Sequence, residues 1–288
     1  MATTSLAQVT DQIQKYWAPR FTQELRESLL LGGLVSKEYE GEIKTGGDTV
    51  RVSQIVAATG ELLDVGVNAD SFNSEQLSTV KVDIVADKRA VASYKFADLV
   101  EIQSQINKAD PEVMASLRYA IEKQVNDYLY SLVAPSSSSP DHILNSVATF
   151  DASTLKTLRQ NAGAAKWPKD GNWWLLLDPK YYADMLAVTS LTSSDFVAGD
   201  QPVVGGDIAT KRFGFKILED NSRGASTPGY GLAFHPSFLN FVMQTQVQVK
   251  ISDLHALGQF GYIMSVDMVC GAKLAYDGAL RHQKVITT

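Results

Sequence analysis

The stretch from Gly46 to Ala134 constrains this chain most. It reads as two long β-strands followed by one long helix. In the first strand, Asp48 to Val56, Val50 and Val52 take one side while Arg51 and Ser53 take the other. After a polar, glycine-containing excursion, Leu77 to Phe96 reads as the second strand. Val80, Val82 and Ile84 alternate there with Lys81 and Asp83, and further along Val91 is set against Arg89 and Ser93. A period of two marks a strand with two unlike faces. Asp110-Pro111-Glu112 then starts a helix. Asp caps free N–H groups, Pro fits the first turn, and Glu suits the positive end of the dipole. The helix is expected to run to Ala134, where Pro135 and four serines stop it, a length of roughly 36 Å at about 1.5 Å per residue. Val113, Leu117, Ala120, Ile121, Val125, Tyr128, Leu129 and Leu132 form one apolar stripe along it.

The segments before the helix have little core of their own. The connection from Ala57 to Gln76 is long for a hairpin loop. A two-stranded ribbon is marginal in water, so this one is expected to pack on something else, often another subunit. Residues 1 to 40 read as short helical pieces, with Leu6, Val9 and Ile13 on one face, then Phe21, Leu25 and Leu29 after a break at Pro19. Gly32-Gly33 is expected to end them.

The rest of the chain alternates helix, strand and loop. A short linking helix is expected from Asp98 to Asn107, and a loop from Pro135 to Pro140. Asp151 is placed to cap a helix with Leu155, Leu158 and Ala162 on its inner face. Trp173 to Leu177 reads as a strand, and Asp178-Pro179 as the start of a helix reaching Val188. Long loops follow at Thr189 to Thr210 and Asn221 to Gly231. Short strands are expected at Gly214 to Leu218 and Gly231 to Phe234, with a turn at His235-Pro236. Val242 to Ile251 alternates, with Val247, Val249 and Ile251 against Gln246, Gln248 and Lys250. Two more strands are expected at Gly261 to Val269 and Gly271 to Tyr276, and a further short one in the tail, Ala279 to Thr288.

Composition bounds the function. With 288 residues, 45% hydrophobic and 20% charged, the chain can build a real core. Its net charge of −6 and scattered Lys and Arg argue against a dedicated nucleic-acid-binding stripe. The single cysteine, Cys270, permits no intrachain disulfide and sits in an apolar run, as a small core residue does. No apolar run approaches the ~18 residues of a membrane span, and the N-terminus lacks the blocks of a signal peptide. A soluble protein made in a cytoplasm is expected, with no membrane partner.

Chemistry is harder to find. His142, His235, His255 and His282 share no metal-ligand spacing. No nucleophile elbow, phosphate loop or dinucleotide fingerprint occurs. His255 lies near Asp253 and His142 follows Asp141, but adjacency in sequence is not triad geometry, and both pairs read as solvated turns. Asp64 and Asp70 read as solubilising charges. Trp173-Trp174 reads as core with one ring facing solvent, and Tyr181-Tyr182 repeats that ambiguity on a helix. The expected site inventory is therefore empty: no catalytic residue, no metal ligand, no cofactor, and no enzymatic activity.

The order of elements carries more than any residue. It runs N-terminal arm, extended two-stranded loop, long helix, compact α/β lobe with long loops, then late strands returning to the helix. Together with the stretch Glu40-Gly41-Glu42-Ile43-Lys44-Thr45-Gly46-Gly47-Asp48-Thr49-Val50-Arg51-Val52, it resembles the major capsid proteins of tailed bacteriophages. The resemblance implies an α+β, Hong Kong 97-like capsid fold with an N-terminal arm, an extended β-hairpin loop, a long spine helix, and peripheral and axial domains. It would place the arm at residues 1–40 and the extended loop at 41–97. The peripheral domain would take 98–140 and 243–288, with the spine helix at 110–134, and the axial domain 141–242. It implies self-assembly into pentamers and hexamers of an icosahedral head that encloses double-stranded DNA, contacted non-specifically. The implied location is the virion, after assembly in the host cytoplasm. Some relatives carry a long scaffolding segment before the arm; here the arm follows Met1 almost directly, which implies a separate scaffolding protein or none, besides a portal. The rival readings are an encapsulin-type nanocompartment shell and another virion component such as a tail protein.

Overall fold

The computed structural model describes residues 26, 29–44, 47–63, 74–98, 111–133, 143–144, 146–189, 211–223 and 229–287. Several expectations lie outside them: the pieces before residue 26 with Pro19, the helix at 99–107, the Asp110 cap, the loop from Pro135 to Pro140 and the loop at 190–210.

The molecule is built around helix α3, Pro111–Ser131. Among the described residues, two one-turn helices precede it, α1 at Leu31–Leu34 and α2 at Glu40–Lys44. Leu117, Ile121, Val125 and Leu129, each one turn from the next, are buried on the α3 stripe. They pack on the sheet β3-β9-β8, made of Lys88–Phe96, Tyr262–Leu274 and Leu239–Asp253, all antiparallel. Ala90, Met264, Val266 and Met268 face the helix from that sheet. Asn126 and Tyr130, buried outside the expected stripe, form a second face. There the Tyr130 hydroxyl donates to Asp220, and Arg223 stacks 4.2 Å from the Tyr130 ring while pairing with Asp127 at 2.8 Å.

That second face joins α3 to a mixed five-stranded sheet in the order β4-β10-β7-β5-β6. Its strands are Ile143–Leu144, His282–Ile286, Tyr230–Phe234, Trp173–Leu177 and Phe215–Glu219. Leu176, Leu232 and Phe234 point toward the α3 core, while Leu175, Leu177 and Ala233 point to the other side. On that other side lie α4, Ala152–Ala164, and α5, Pro179–Leu186. The capping expectations hold: Asp151 accepts from the Thr154 N–H at 2.8 Å and Asp178 from the Tyr181 N–H at 3.0 Å. The tail strand holds too, as β10, which returns the chain to the five-stranded sheet.

The hairpin is β1, Thr49–Ile55, paired antiparallel with β2, Thr79–Val85. Here the structure corrects the reading of Leu77 to Phe96 as one strand. β2 ends at Val85, and β3 begins at Lys88 in another sheet. Gly271 makes room for the bend. A Cβ there would lie 2.0 Å from the Val85 oxygen and 2.8 Å from the Ala86 Cα, so the chain crosses directly over this glycine. The same crossing corrects the reading of Gly271 as the start of a strand: β9 runs unbroken through it. The alternation of Val80 to Ile84 in fact lapses at the bend, into Ile84-Val85-Ala86 followed by the charged Asp87-Lys88-Arg89.

Three smaller corrections follow. Gly32-Gly33 lies inside α1 rather than ending a helix; the chain leaves through Val35, in extended conformation. Residues 40–44 form α2, whose Ile43 packs with Val50, Ile84 and Val242 under the hairpin base. In β3 the inward residues are Ala90 and Ala92, while Val91 is 47% exposed. Inward placement is set there by register with β9, where Val91 stands opposite Asp267.

Candidate functional site

Apolar side chains that the chain leaves uncovered mark the candidate site. Along the hairpin, burial fades outward. Val50 and Ile84 are buried and Val52 and Val82 half-buried, whereas Ile55, at the far end, is 64% exposed. In the connection, Leu62 is 99% and Leu77 77% exposed. Arg51 and Asp83, directly opposite in register, hold the ribbon from its outer face with hydrogen bonds of 2.7 and 3.0 Å. Hydrogen bonding by Arg51, more than its charge alone, keeps the Asp83 carboxyl below the usual carboxylate range. The base is tied down by Ala86 N–H donating to Asp48 O at 2.8 Å and Gln244 Nε2 donating to Gly47 O at 3.0 Å. Among the described residues, one end of the hairpin is anchored in its own chain and the other is not.

The far end of the three-stranded sheet repeats the pattern. Ile251 is 56% exposed, and Leu257 and Phe260 in the β8–β9 turn are more so. The expected alternation of Val249 and Ile251 is present, but among the described residues no core covers their apolar face. The opposite sheet face carries a charge cluster. Asp267 takes Arg89 at 2.6 Å and Lys250 at 3.3 Å. The two cationic side chains, rather than core atoms, shield its carboxylate. Their hydrogen bonds, Arg89's foremost, lower its pKa despite the desolvation.

The residues singled out from sequence fall as follows. Asp253 accepts from the His255 backbone N–H at 2.9 Å, a turn contact, and the His255 ring lies 5.8 Å from that of Phe260. His282 is buried, with Nδ1 donating to Gly278 O at 2.7 Å. Cys270 is buried, and burial pushes its thiol up to about 11. Trp173 is buried and Trp174 half-buried beneath Lys216, but Tyr181 and Tyr182 are both buried. Asp64, Asp70, Asp141 and His142 lie outside the described residues. Among the described residues, no group of three or more His, Cys, Asp or Glu is placed to hold a metal.

One constellation was missed. His235 Nε2 lies 3.0 Å from Asp170 Oδ2, and its Nδ1 lies 2.7 Å from Ser237 Oγ. The Ser237 backbone N–H points at the same Nδ1, which therefore accepts, so the ring proton sits on Nε2 and is donated to Asp170. Asp170 lies 65 residues away, so only the fold brings it there.

No protein-family model matches the sequence, and no curated protein sequence matches it. Solved structures do match. A chain from Mycobacterium phage Che8 aligns with a TM-score of 0.77 at 18% identity, over 95% of this chain and 96% of that one. The capsid structure of cyanophage P-SCSP1u gives 0.74 at 15% identity, over 96% and 94%. The capsid asymmetric unit of cyanophage Pam1 gives 0.70 at 14%, over 99% and 98%. The α+β fold of this chain is that of these phage capsid structures, as the resemblance in the sequence led us to expect.

Proposed function

We propose that this chain is the major capsid protein of a tailed phage, a structural subunit that self-assembles into pentamers and hexamers of an icosahedral head. The observation that carries this reading is the likeness in both directions: solved phage capsid chains are covered almost completely by this chain, and it by them. In this reading the head encloses double-stranded DNA, contacts it non-specifically, and is built in the host cytoplasm with a portal and a separate scaffolding protein. Residues 1–40 serve as the arm and 41–97 as the extended loop. Residues 98–140 and 243–288 form the peripheral domain, with α3 as its spine, and 141–242 the axial domain, to whose sheet β10 adds a strand. The unfilled apolar positions of the hairpin and of the β8–β9 turn support a role in contacts between copies, because large exposed apolar residues in clusters mark interaction surfaces.

Electron microscopy of the purified protein, alone and with lysate from its native source, tests the reading. Closed shells or five- and six-fold rings are expected, and packaged DNA separates a phage head from a nanocompartment holding a cargo enzyme. Tubes would indicate a tail component. A monomer that never assembles at high concentration would overturn the proposal.

A further inference from the structure

The Asp170–His235–Ser237 constellation has more parts than its local structure requires. His235 caps a short 3-10 turn, Pro236–Phe238, by accepting the Ser237 N–H. That cap needs only the imidazole. The Ser237 hydroxyl is a second donor to the same Nδ1, at 2.7 Å, because Nδ1 carries no proton of its own. Arg281 Nη1 donates to Ser237 Oγ at 2.9 Å, so a cation faces the oxygen from another side. Asp170 is itself held in place by the Asn172 N–H at 3.0 Å and the Asn172 side chain at 3.2 Å. Burial pushes the Asp170 carboxyl up, but the hydrogen bonds from His235 and Asn172 outweigh it and bring it down to about 2. The aspartate therefore stays anionic beside the ring at neutral pH.

Ser237 also borders a cavity of about 140 Å³ between the hairpin base and the start of β8. Tyr39, Val82, Asn240, Tyr276 and Arg281 line it with Ser237. A nucleophile hydrogen-bonded to a base, with the base oriented by a third group, is the arrangement that activates a serine. Here the two ring nitrogens exchange their usual partners, which leaves the direction of proton transfer unchanged.

We propose that Ser237 is a nucleophilic serine, activated by His235 and oriented through Asp170, that takes up the acyl group of small esters entering this cavity. Ser237 Oγ bonds to the acyl carbon, its proton passes to His235 Nδ1, and the imidazolium that forms lies against Asp170. The alcohol leaves with that proton. Water then adds to the acyl carbon, releasing the carboxylic acid and restoring the Ser237 hydroxyl. Arg281, whose Nη1 donates to Ser237 Oγ, eases loss of the hydroxyl proton to His235. The cavity is below the roughly 300 Å³ of ordinary ligand pockets, which restricts the acyl group to a few heavy atoms. This activity is independent of shell assembly.

Methanesulfonyl fluoride, whose transferred group is small enough for that cavity, tests it on the full-length, unassembled chain. The reagent forms an Oγ–S bond as the S–F bond breaks, with fluoride leaving and the hydroxyl proton passing through His235 to solvent. Intact mass and peptide mapping should find one methanesulfonyl group per chain, on Ser237. Asp170→Asn should slow labelling by about 100-fold, the lower end of what acid–base assistance supplies, with an unchanged circular dichroism spectrum. The unmodified chain alone can refute the proposal, whatever the variants do. No adduct after hours in millimolar reagent, or adducts spread over other serines, would overturn it. So would labelling of a folded Asp170→Asn variant at the parent rate.

Discussion

Gly271→Ala should be among the most damaging single-methyl changes this protein can suffer. The added Cβ would sit 2.0 Å from the Val85 oxygen, 2.7 Å from the Val85 carbonyl carbon and 2.8 Å from the Ala86 Cα. Carbon atoms attract at about 3.5–4.0 Å, so the crossing would have to open by roughly 1 Å. All three obstacles are backbone, and no rotamer change relieves them. The strands that would move are held by registered pairs on both sides: Thr49 with Val85 in the hairpin and Lys88 with Cys270 in the sheet. Overpacking costs about 1–3 kcal/mol where side chains can yield, and a rigid crossing belongs at the upper end, about 3 kcal/mol. At about 2–4 °C per kcal/mol for a protein of this size, Tm should fall by roughly 6–12 °C. Gly33→Ala is the matched control. A Cβ there meets nothing within 4 Å, and the residue lies in a helical turn, so the change should be neutral or stabilise by up to about 1 kcal/mol. Urea unfolding followed by tryptophan fluorescence reads both variants. If Gly271→Ala stays within about 0.5 kcal/mol of the parent, the typical range of a neutral surface change, the crossing does not separate β2 from β3.

Three further outcomes are expected. Leu129→Ala, at a fully buried position on the α3 stripe, should cost about 2–5 kcal/mol in the same urea titration. Asp151→Ala should remove about 1 kcal/mol at neutral pH through the lost α4 cap. The hydrogen bond from the Thr154 N–H, foremost, lowers the Asp151 carboxyl, so its contribution is present above the ordinary carboxylate range and is lost as pH falls through the depressed pKa. The gap between variant and parent should therefore close in acid, as stability measured from pH 7 down to pH 2 will show. Deleting residues 57–76 should leave a subunit with parent-like circular dichroism and thermal unfolding that no longer forms shells in electron micrographs; an unfolded product would place the hairpin inside the core.

Much of this architecture was legible because its signals are local. The α3 stripe, the Asp151 and Asp178 caps, the Trp173–Leu177 strand and the tail strand each depend on residues within one turn or one pleat of one another. What escaped depends on distant chain meeting chain. The close crossing at the β2–β3 break is made possible by Gly271, almost two hundred positions later; the only local mark is the lapse of alternation at Ile84 to Arg89. Val91 shares the face of Arg89 and Ser93 by strand parity, and pairing with β9 shows that this is the face turned away from the helix. Asn126 and Tyr130 are polar positions off the stripe, and only the nearness of Asp220, Ser222 and Arg223 gives them a buried place. Asp170 and His235 met for the same reason. Ile251 shows the converse: its alternation was read correctly, yet alternation does not tell whether anything lies over the apolar side.

That last point bears on how such a subunit could join a shell without collapsing into disordered aggregates. The hairpin has two unequal ends. Its base is fixed by the small cluster of Ile43, Val50, Ile84 and Val242 and by the hydrogen bond from Gln244 to Gly47 O, which together set its direction. Its far end offers Ile55, Val56, Leu62 and Leu77. Fully burying four such side chains would yield roughly 6–12 kcal/mol, at about 1.5–3 kcal/mol each. Against this stand an association cost of about 4–15 kcal/mol and about 1–2 kcal/mol for each backbone residue that becomes ordered. A single hairpin contact therefore comes out near zero or unfavourable. Two subunits meeting by this contact alone would part again, so misplaced ones can leave. In a closed ring each subunit offers its hairpin and receives a neighbour's, and after the first contact the others form at high effective concentration. The gain then grows with the number of contacts while the translational cost of adding a subunit is met once. On this arithmetic, weakening one hairpin position should raise the protein concentration at which shells first appear while leaving the unfolding of the isolated subunit unchanged. Leu62→Ser, at a fully exposed position, separates the two quantities. Light scattering against protein concentration measures the first and thermal melting the second, and equal shifts in both would refute the division of labour between base and tip.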